Sequence, residues 1–124
     1  MLNVAAIQGR FTQEPELKTT SSGVPVLSFC LAVERQYVKS GEERQADFID
    51  CVAWKNIAEF ISKYFSKGSM IVLEGSIQTR NFEDKNGNKR KAVEFLVNKA
   101  CFCGREDKQS NAEVEYEDEF DLPI

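Results

Sequence analysis

The stretch from Ala46 to Gly75, ADFIDCVAWKNIAEFISKYFSKGSMIVLEG, constrains this chain more than any other, because its side-chain period changes twice. In Phe48-Ile49-Asp50-Cys51-Val52-Ala53-Trp54, neighbours point to opposite faces of a strand. Ile49, Cys51 and Ala53 form a small apolar face that suits a core. Phe48, Asp50, Val52 and Trp54 form the other, where two aromatics beside a carboxylate make a poor core and a usable stacking surface. Ile57, Phe60, Ile61, Tyr64 and Phe65 then follow helical spacing and share one apolar face. Lys67 suits the negative end of that helix, and Gly68 suits its C-terminal cap. Met70-Ile71-Val72-Leu73 resumes a strand, with a bulge or bend expected at Gly75.

The flanking segments read as strands. Leu2 to Phe11 is the first, and the polar run from Thr12 to Gly23 is a connection. Val24 to Arg35 is the second, with Leu27, Phe29, Leu31 and Val33 on one face. Tyr37 to Gln45 is a charged loop opening on an aromatic. The fourth strand continues past Gly75 to Phe82, and Lys85-Asn86-Gly87-Asn88 is a hairpin turn. Lys89 to Cys103 is the fifth strand, with Val93, Phe95 and Val97 on one face. The pattern is all-β: five strands with one helix between the third and fourth. That order predicts an oligonucleotide/oligosaccharide-binding barrel, the OB-fold, with the helix plugging one end.

Composition narrows the chemistry. With 124 residues the chain suits one domain and a tail. It has no histidine, so no Ser-His, Cys-His or His-metal arrangement can be built. No glycine-rich phosphate loop is present. Cys30, Cys51, Cys101 and Cys103 read as reduced thiols, without the pairing a zinc site needs. Neither catalysis nor a cofactor nor a metal is expected. No run of about 18 apolar residues and no signal peptide is visible, so the expected location is cytoplasmic, without membrane association. The charge is divided. Residues 1–104 carry 14 Lys and Arg against 12 Asp and Glu, while residues 105–124 carry 2 against 8. The expected organisation is a weakly basic body, 1–104, and a disordered acidic tail, 105–124.

Four aromatics lie on a loop, at a strand edge or opposite the expected core: Tyr37, Phe48, Trp54 and Phe82. Lys39, Arg44, Lys55, Arg80, Lys85, Lys89, Arg90 and Lys91 lie near them in sequence. Rings that stack on unpaired bases, interleaved with cations that track phosphates, are what a single-strand binder needs. Core packing for any one ring, and a solvated turn for the basic hairpin, are the competing readings.

At this point the chain resembles the bacterial-type single-stranded DNA-binding proteins over nearly its whole length. Gly9-Arg10-Phe11 through Pro15-Glu16-Leu17-Lys18 is similar to the family's opening motif, and Val26 to Arg35 to its second strand. Trp54 to Glu59, Tyr64, Lys67-Gly68-Ser69 and Leu73-Glu74-Gly75 resemble its helix region. The resemblance implies sequence-independent binding of single-stranded DNA by a nucleoid-associated homotetramer. It places base stacking on Tyr37, Phe48, Trp54 and Phe82; phosphate contacts are expected of Arg10 and the eight cations above. Asp118, Glu119, Phe120, Asp121, Leu122, Pro123 and Ile124 resemble the family's tip for binding replication, recombination and repair proteins. The family tip ends in Phe rather than Ile, and the usual Gly/Pro/Gln-rich linker is missing here. An RNA-binding or translation-associated barrel, and a protein-interaction module that buries these aromatics, stay open as alternatives.

Overall fold

A computed structural model describes residues 1–37 and 39–103 and the backbone of Glu113–Glu115. The elements are β1 (Ala5–Phe11), β2 (Lys18–Thr19), β3 (Pro25–Glu34), β4 (Ala46–Trp54), α1 (Lys55–Tyr64), β5 (Met70–Glu83), β6 (Lys89–Phe102) and β7 (Glu113–Glu115). The sheet runs β1-β5-β6-β4-β3-β2, and β1 also pairs β3. That last pairing closes β1, β5, β6, β4 and β3 into the expected five-stranded barrel.

Closure rests on two short seams. β1 meets β3 at Arg10↔Ala32 and Phe11↔Leu31, antiparallel. β4 meets β6 at Cys51↔Phe95 and Val52↔Leu96, parallel. The other ladders are long: β3 and β4 pair from Val26↔Trp54 to Glu34↔Ala46, and β5 and β6 pair from Ile71↔Phe102 to Glu83↔Lys89.

Residues alternate about the barrel wall as their period dictates. Leu27, Leu31, Cys51, Ala53, Ile71, Leu73, Phe95 and Val97 are buried inside. Ile57, Ala58, Phe60 and Ile61 of α1 close one end of that core. Each such large side chain contributes roughly 1.5–3 kcal/mol on burial. An aromatic cluster completes the plug: Phe65 stacks on Phe102 at 5.2 Å, and Phe11 lies 5.1 Å from Phe29 and 5.8 Å from Phe65.

The helix ends differently from the expected glycine cap. Phe65 leaves it with an extended backbone, φ −122°, while its N–H still bonds the carbonyl of Ile61 at 3.0 Å. This turns the Phe65 ring into the aromatic cluster. Gly68 instead takes its positive φ, 86°, in the following turn, where its N–H bonds the Phe11 carbonyl at 2.9 Å. Lys63, not Lys67, is the cation in the last helical turn.

Gly75 does sit at a bulge. The register shifts between Glu74 and Gly75, and a Cβ there would lie 1.8 Å from the Leu96 carbonyl oxygen. No other residue fits so close a strand. Two short strands lay outside the reading from period: β2 pairs the start of β3, and β7 pairs β6 at Lys99↔Glu115 to Cys101↔Glu113. β7 falls within the segment assigned to the acidic tail. The rest of that segment, including the tip, lies outside the described residues.

Candidate nucleic-acid interface

β5 and β6 are 14 residues each, longer than the barrel is tall. Their distal halves leave the wall as a two-stranded arm closed by a tight turn. Asp84 organises that turn. Its carboxylate accepts the N–H groups of Asn86 and Asn88 at 2.9 Å and the Arg90 Nε at 3.0 Å. Gly87 supplies the positive φ, 79°. The Asn88 and Asn86 amides and the Arg90 guanidinium hold the Asp84 carboxyl below the usual range.

The registers carry one outward face across three strands. It takes Phe48, Val52 and Trp54 from β4, Leu96, Glu94 and Arg90 from β6, and Ser76, Gln78, Arg80 and Phe82 from β5. Val52 and Leu96 are buried on this face, outside the core cluster, where the β4–β6 seam joins. Phe48 is 68% exposed and Phe82 39%. Tyr37, in the loop between β3 and β4, is 81% exposed. These three rings stand open to a ligand. Trp54 is half-buried, and its indole Nε1 is covered with no hydrogen-bond partner among the described residues. Alternation told which way the ring points from the strand, not how far its neighbours overlie it.

The cations divide similarly. Arg80 bonds Glu94 at 3.1 Å, and its guanidinium carbon lies 5.4 Å from the Phe82 ring centroid. Arg90 is bound to Asp84. Both arginines are therefore already paired. Lys85, Lys89 and Lys91 form no ion pair among the described residues and are exposed. Lys89, Arg90 and Lys91 line an open groove of about 550 Å³ with Asn81, Phe82 and Glu83. Lys39 and Tyr37 line a smaller hollow in the β3–β4 loop with Arg35, Glu42, Glu43 and Gln45. Arg44 reaches the Arg35 carbonyl at 3.5 Å, and Lys55 follows Trp54 at the start of α1. Arg10 stands apart. It pairs Met70 across β1 and β5 and donates to the Gly68 carbonyl at 3.2 Å. Met70 and Arg80 are ten positions apart on β5, roughly 33 Å along the strand.

Two features escaped the pattern. Val93, grouped by alternation with the core residues Phe95 and Val97, is 58% exposed. It lies on the arm, where the inner face has left the barrel, as does exposed Ile77. Arg35 is held by Asp47 at 2.9 and 3.2 Å, which lowers the Asp47 carboxyl and raises the guanidinium. That bridge ties together the mouth of the loop carrying Tyr37. Among the described residues no His, Cys, Asp and Glu cluster could hold a metal, and no helix is long and apolar enough to cross a membrane.

A closed five-stranded barrel, one plugging helix, and an aromatic outer face continued by a lysine-bearing arm define the OB class of ligand-binding barrels. Residues 2–103 match the single-strand binding protein family, and the chain belongs to it. It is 45% identical over 111 residues to single-stranded DNA-binding protein 1 of Staphylococcus aureus strain Mu50, covering 90% of this chain and 70% of that protein. It is 40% identical over 113 residues to single-stranded DNA-binding protein 2 of Listeria monocytogenes, covering 91% and 69%. Among solved structures, a Plasmodium falciparum SSB in complex with ssDNA superposes with a TM-score of 0.70 at 27% identity, covering 78% of this chain and 87% of that one.

Proposed function

We propose that this protein binds and protects single-stranded DNA without sequence preference, and that it does so by binding alone, without catalysis. The observation that carries the reading is the outward face of β4, β6 and β5. It sets Phe48, Trp54 and Phe82 on one continuous surface, with Tyr37 on the adjoining loop and exposed lysines along the arm. Such rings accept any base, because every base has a π-face, and each stacked base contributes about 1–3 kcal/mol. The lysines at 85, 89 and 91 supply phosphate neutralisation, with Lys39, Arg44 and Lys55 nearer the loop and helix. Arg80 and Arg90 hold their carboxylates through Nε alone, which leaves their other guanidinium N–H groups for a phosphate. Arg10, on β1 opposite Met70, lies away from the arm and would meet a different stretch of the strand.

The family, and relatives named for single-stranded DNA binding, support this reading. They also support a role for the chain in replication, recombination and repair, in the cytoplasm and on the nucleoid. A homotetramer fits the half of β1 that has no partner on its β3 side, and the exposed Leu2 and Val4 before it. The tip, Asp118 to Ile124, recruits partner proteins through apolar residues flanked by carboxylates.

Titration with oligo-dT and oligo-rU of equal length, at two salt concentrations, tests the function. Tight, salt-sensitive binding to oligo-dT is expected. Preference for oligo-rU would favour the RNA-binding alternative, and no binding to either would refute both. Deleting residues 118–124 is expected to leave DNA binding intact and to abolish capture of partner proteins from a lysate. Unchanged capture would remove the tip's role.

A further inference from the structure

Trp54 is the half-buried ring of the outward face, and its one polar atom is covered. Among the described residues its Nε1 is also the only buried side-chain nitrogen or oxygen without a hydrogen-bond partner. A buried donor left unpaired raises the free energy of the state that holds it. The backbone around it is fixed. Trp54 is extended, φ −125° and ψ 150°, and pairs Val26. Lys55 beside it sits in the left-handed region at φ 57°, which turns the chain directly from β4 into α1. Movement of the ring is therefore confined to its side-chain torsions.

We infer that Trp54 is a hinged stacking residue. Its ring rests against the barrel in the free protein and swings outward onto a bound strand, where the indole N–H donates to a phosphate oxygen. The inference rests on the single-strand binding reading above. Two opposing contributions decide where the ring lies. In water, the outward ring gains a partner for its N–H but gives up its apolar surroundings, so the covered position is held. Against a bound strand the ring stays in apolar surroundings by stacking on a base, and the N–H is satisfied as well. A ligand that offers both selects the outward state. Indole is a donor only. The acceptor that every nucleotide presents identically is the phosphate oxygen, as sequence-independent binding requires.

The test replaces the Trp54 indole with a benzothiophene in the full chain. This keeps the bicyclic ring and puts sulfur in place of N–H. Binding to fluorescently labelled oligo-dT is followed by anisotropy at several salt concentrations, and thermal unfolding is measured alongside. The expected result is affinity lowered roughly 10- to 150-fold, the range for loss of one charge-assisted hydrogen bond. The salt slope should be unchanged, because no charge is removed, and the melting temperature unchanged or raised. Affinity equal to that of the unmodified protein overturns the inference. A lowered melting temperature does so too, since it means the N–H is paired within the fold. A changed salt slope means the ring acts through its charged neighbours and also overturns it. If the unmodified protein does not bind oligo-dT, the single-strand reading itself fails, and the inference fails with it.

Discussion

Replacing Gly75 with alanine should cost more than any other single-methyl addition at the glycines of the barrel and its arm. The new Cβ would lie 1.8 Å from the Leu96 carbonyl oxygen, 2.9 Å from its carbonyl carbon and 3.0 Å from Phe95 Cε1. Carbon–oxygen contacts between strands settle near 3.3–3.6 Å, so β6 would have to retreat by roughly 1.5 Å. A backbone hydrogen bond does not survive that movement. Losing two bonds beside the bulge costs about 2 kcal/mol, and overpacking against buried Phe95 adds about 1–3 kcal/mol. The sum, on the order of 3–5 kcal/mol, corresponds to a fall in melting temperature of roughly 15–30 °C for a body of about 100 residues. Gly87→Ala is the control. Gly87 has a positive φ but nothing within 4 Å, so only left-handed strain applies, about 1–2 kcal/mol. Thermal and urea unfolding followed by circular dichroism would measure both. Since Gly75 sets the direction in which β5 leaves the wall, oligo-dT affinity should also drop further for Gly75→Ala. If Gly75→Ala unfolds no earlier than Gly87→Ala, the bulge is not the constraint derived above.

Replacing Lys89 and Lys91 together with alanine should flatten the log–log salt dependence of oligo-dT binding by roughly 0.7 for each phosphate left unneutralised. Arg90→Ala should act mainly by loosening the turn, and equal slopes for the two variants would contradict the Arg90–Asp84 pairing. Phe48→Ala should weaken binding by about 1–3 kcal/mol in fluorescence titrations while leaving the unfolding midpoint in place, because the ring is exposed. The Asp84 carboxyl is held below its usual range, so its contribution to the arm's turn is present above the ordinary carboxylate range and is lost as pH falls through the lowered folded value. The Gly87 amide resonance should report that transition in acid, and Asp84→Asn should abolish it. Burial pushes the Cys51 thiol up to about 12, with Cys30 and Asp50 adding to the effect. Iodoacetamide at mildly alkaline pH should therefore label Cys51 only after unfolding, whereas rapid native labelling would contradict its place in the core.

Period-two alternation in β3 and β4 and helical spacing in Ile57 to Phe65 made the barrel and its plug legible, because each buries one continuous face. The same signal put Val93 on one face with Phe95 and Val97, which are buried where Val93 is exposed. Alternation reports the side of a strand, not the point at which a hairpin outgrows its sheet. Trp54 was placed on the face where it lies, but its covered Nε1 was not foreseen, since nothing local encodes what overlies a ring. Arg80 and Arg90 looked like free phosphate ligands. Their partners, Glu94 and Asp84, emerge only when register and turn geometry are known. Gly68 looked like a helix cap because the helix seemed to run through Phe65, and the pull of Phe65 toward Phe11 and Phe102 ends it a residue earlier. β2 escaped because Lys18-Thr19 is too short and polar to carry any period.

The two seams divide the wall into halves, β1-β5-β6 and β3-β4, joined at each side by only two residue pairs. Within each half the ladders are long, that of β5 and β6 shifting register once at Gly75; between the halves the backbone is joined by few pairs, and the shared core does the rest. The aromatic face straddles one of these joins, with Phe48 and Trp54 on one half and Phe82 on the other. A strand lying across those rings would therefore act as a suture. Its binding energy would be spread over a crack in the wall, and the breathing of the barrel would fall silent along the line where its ligand lies.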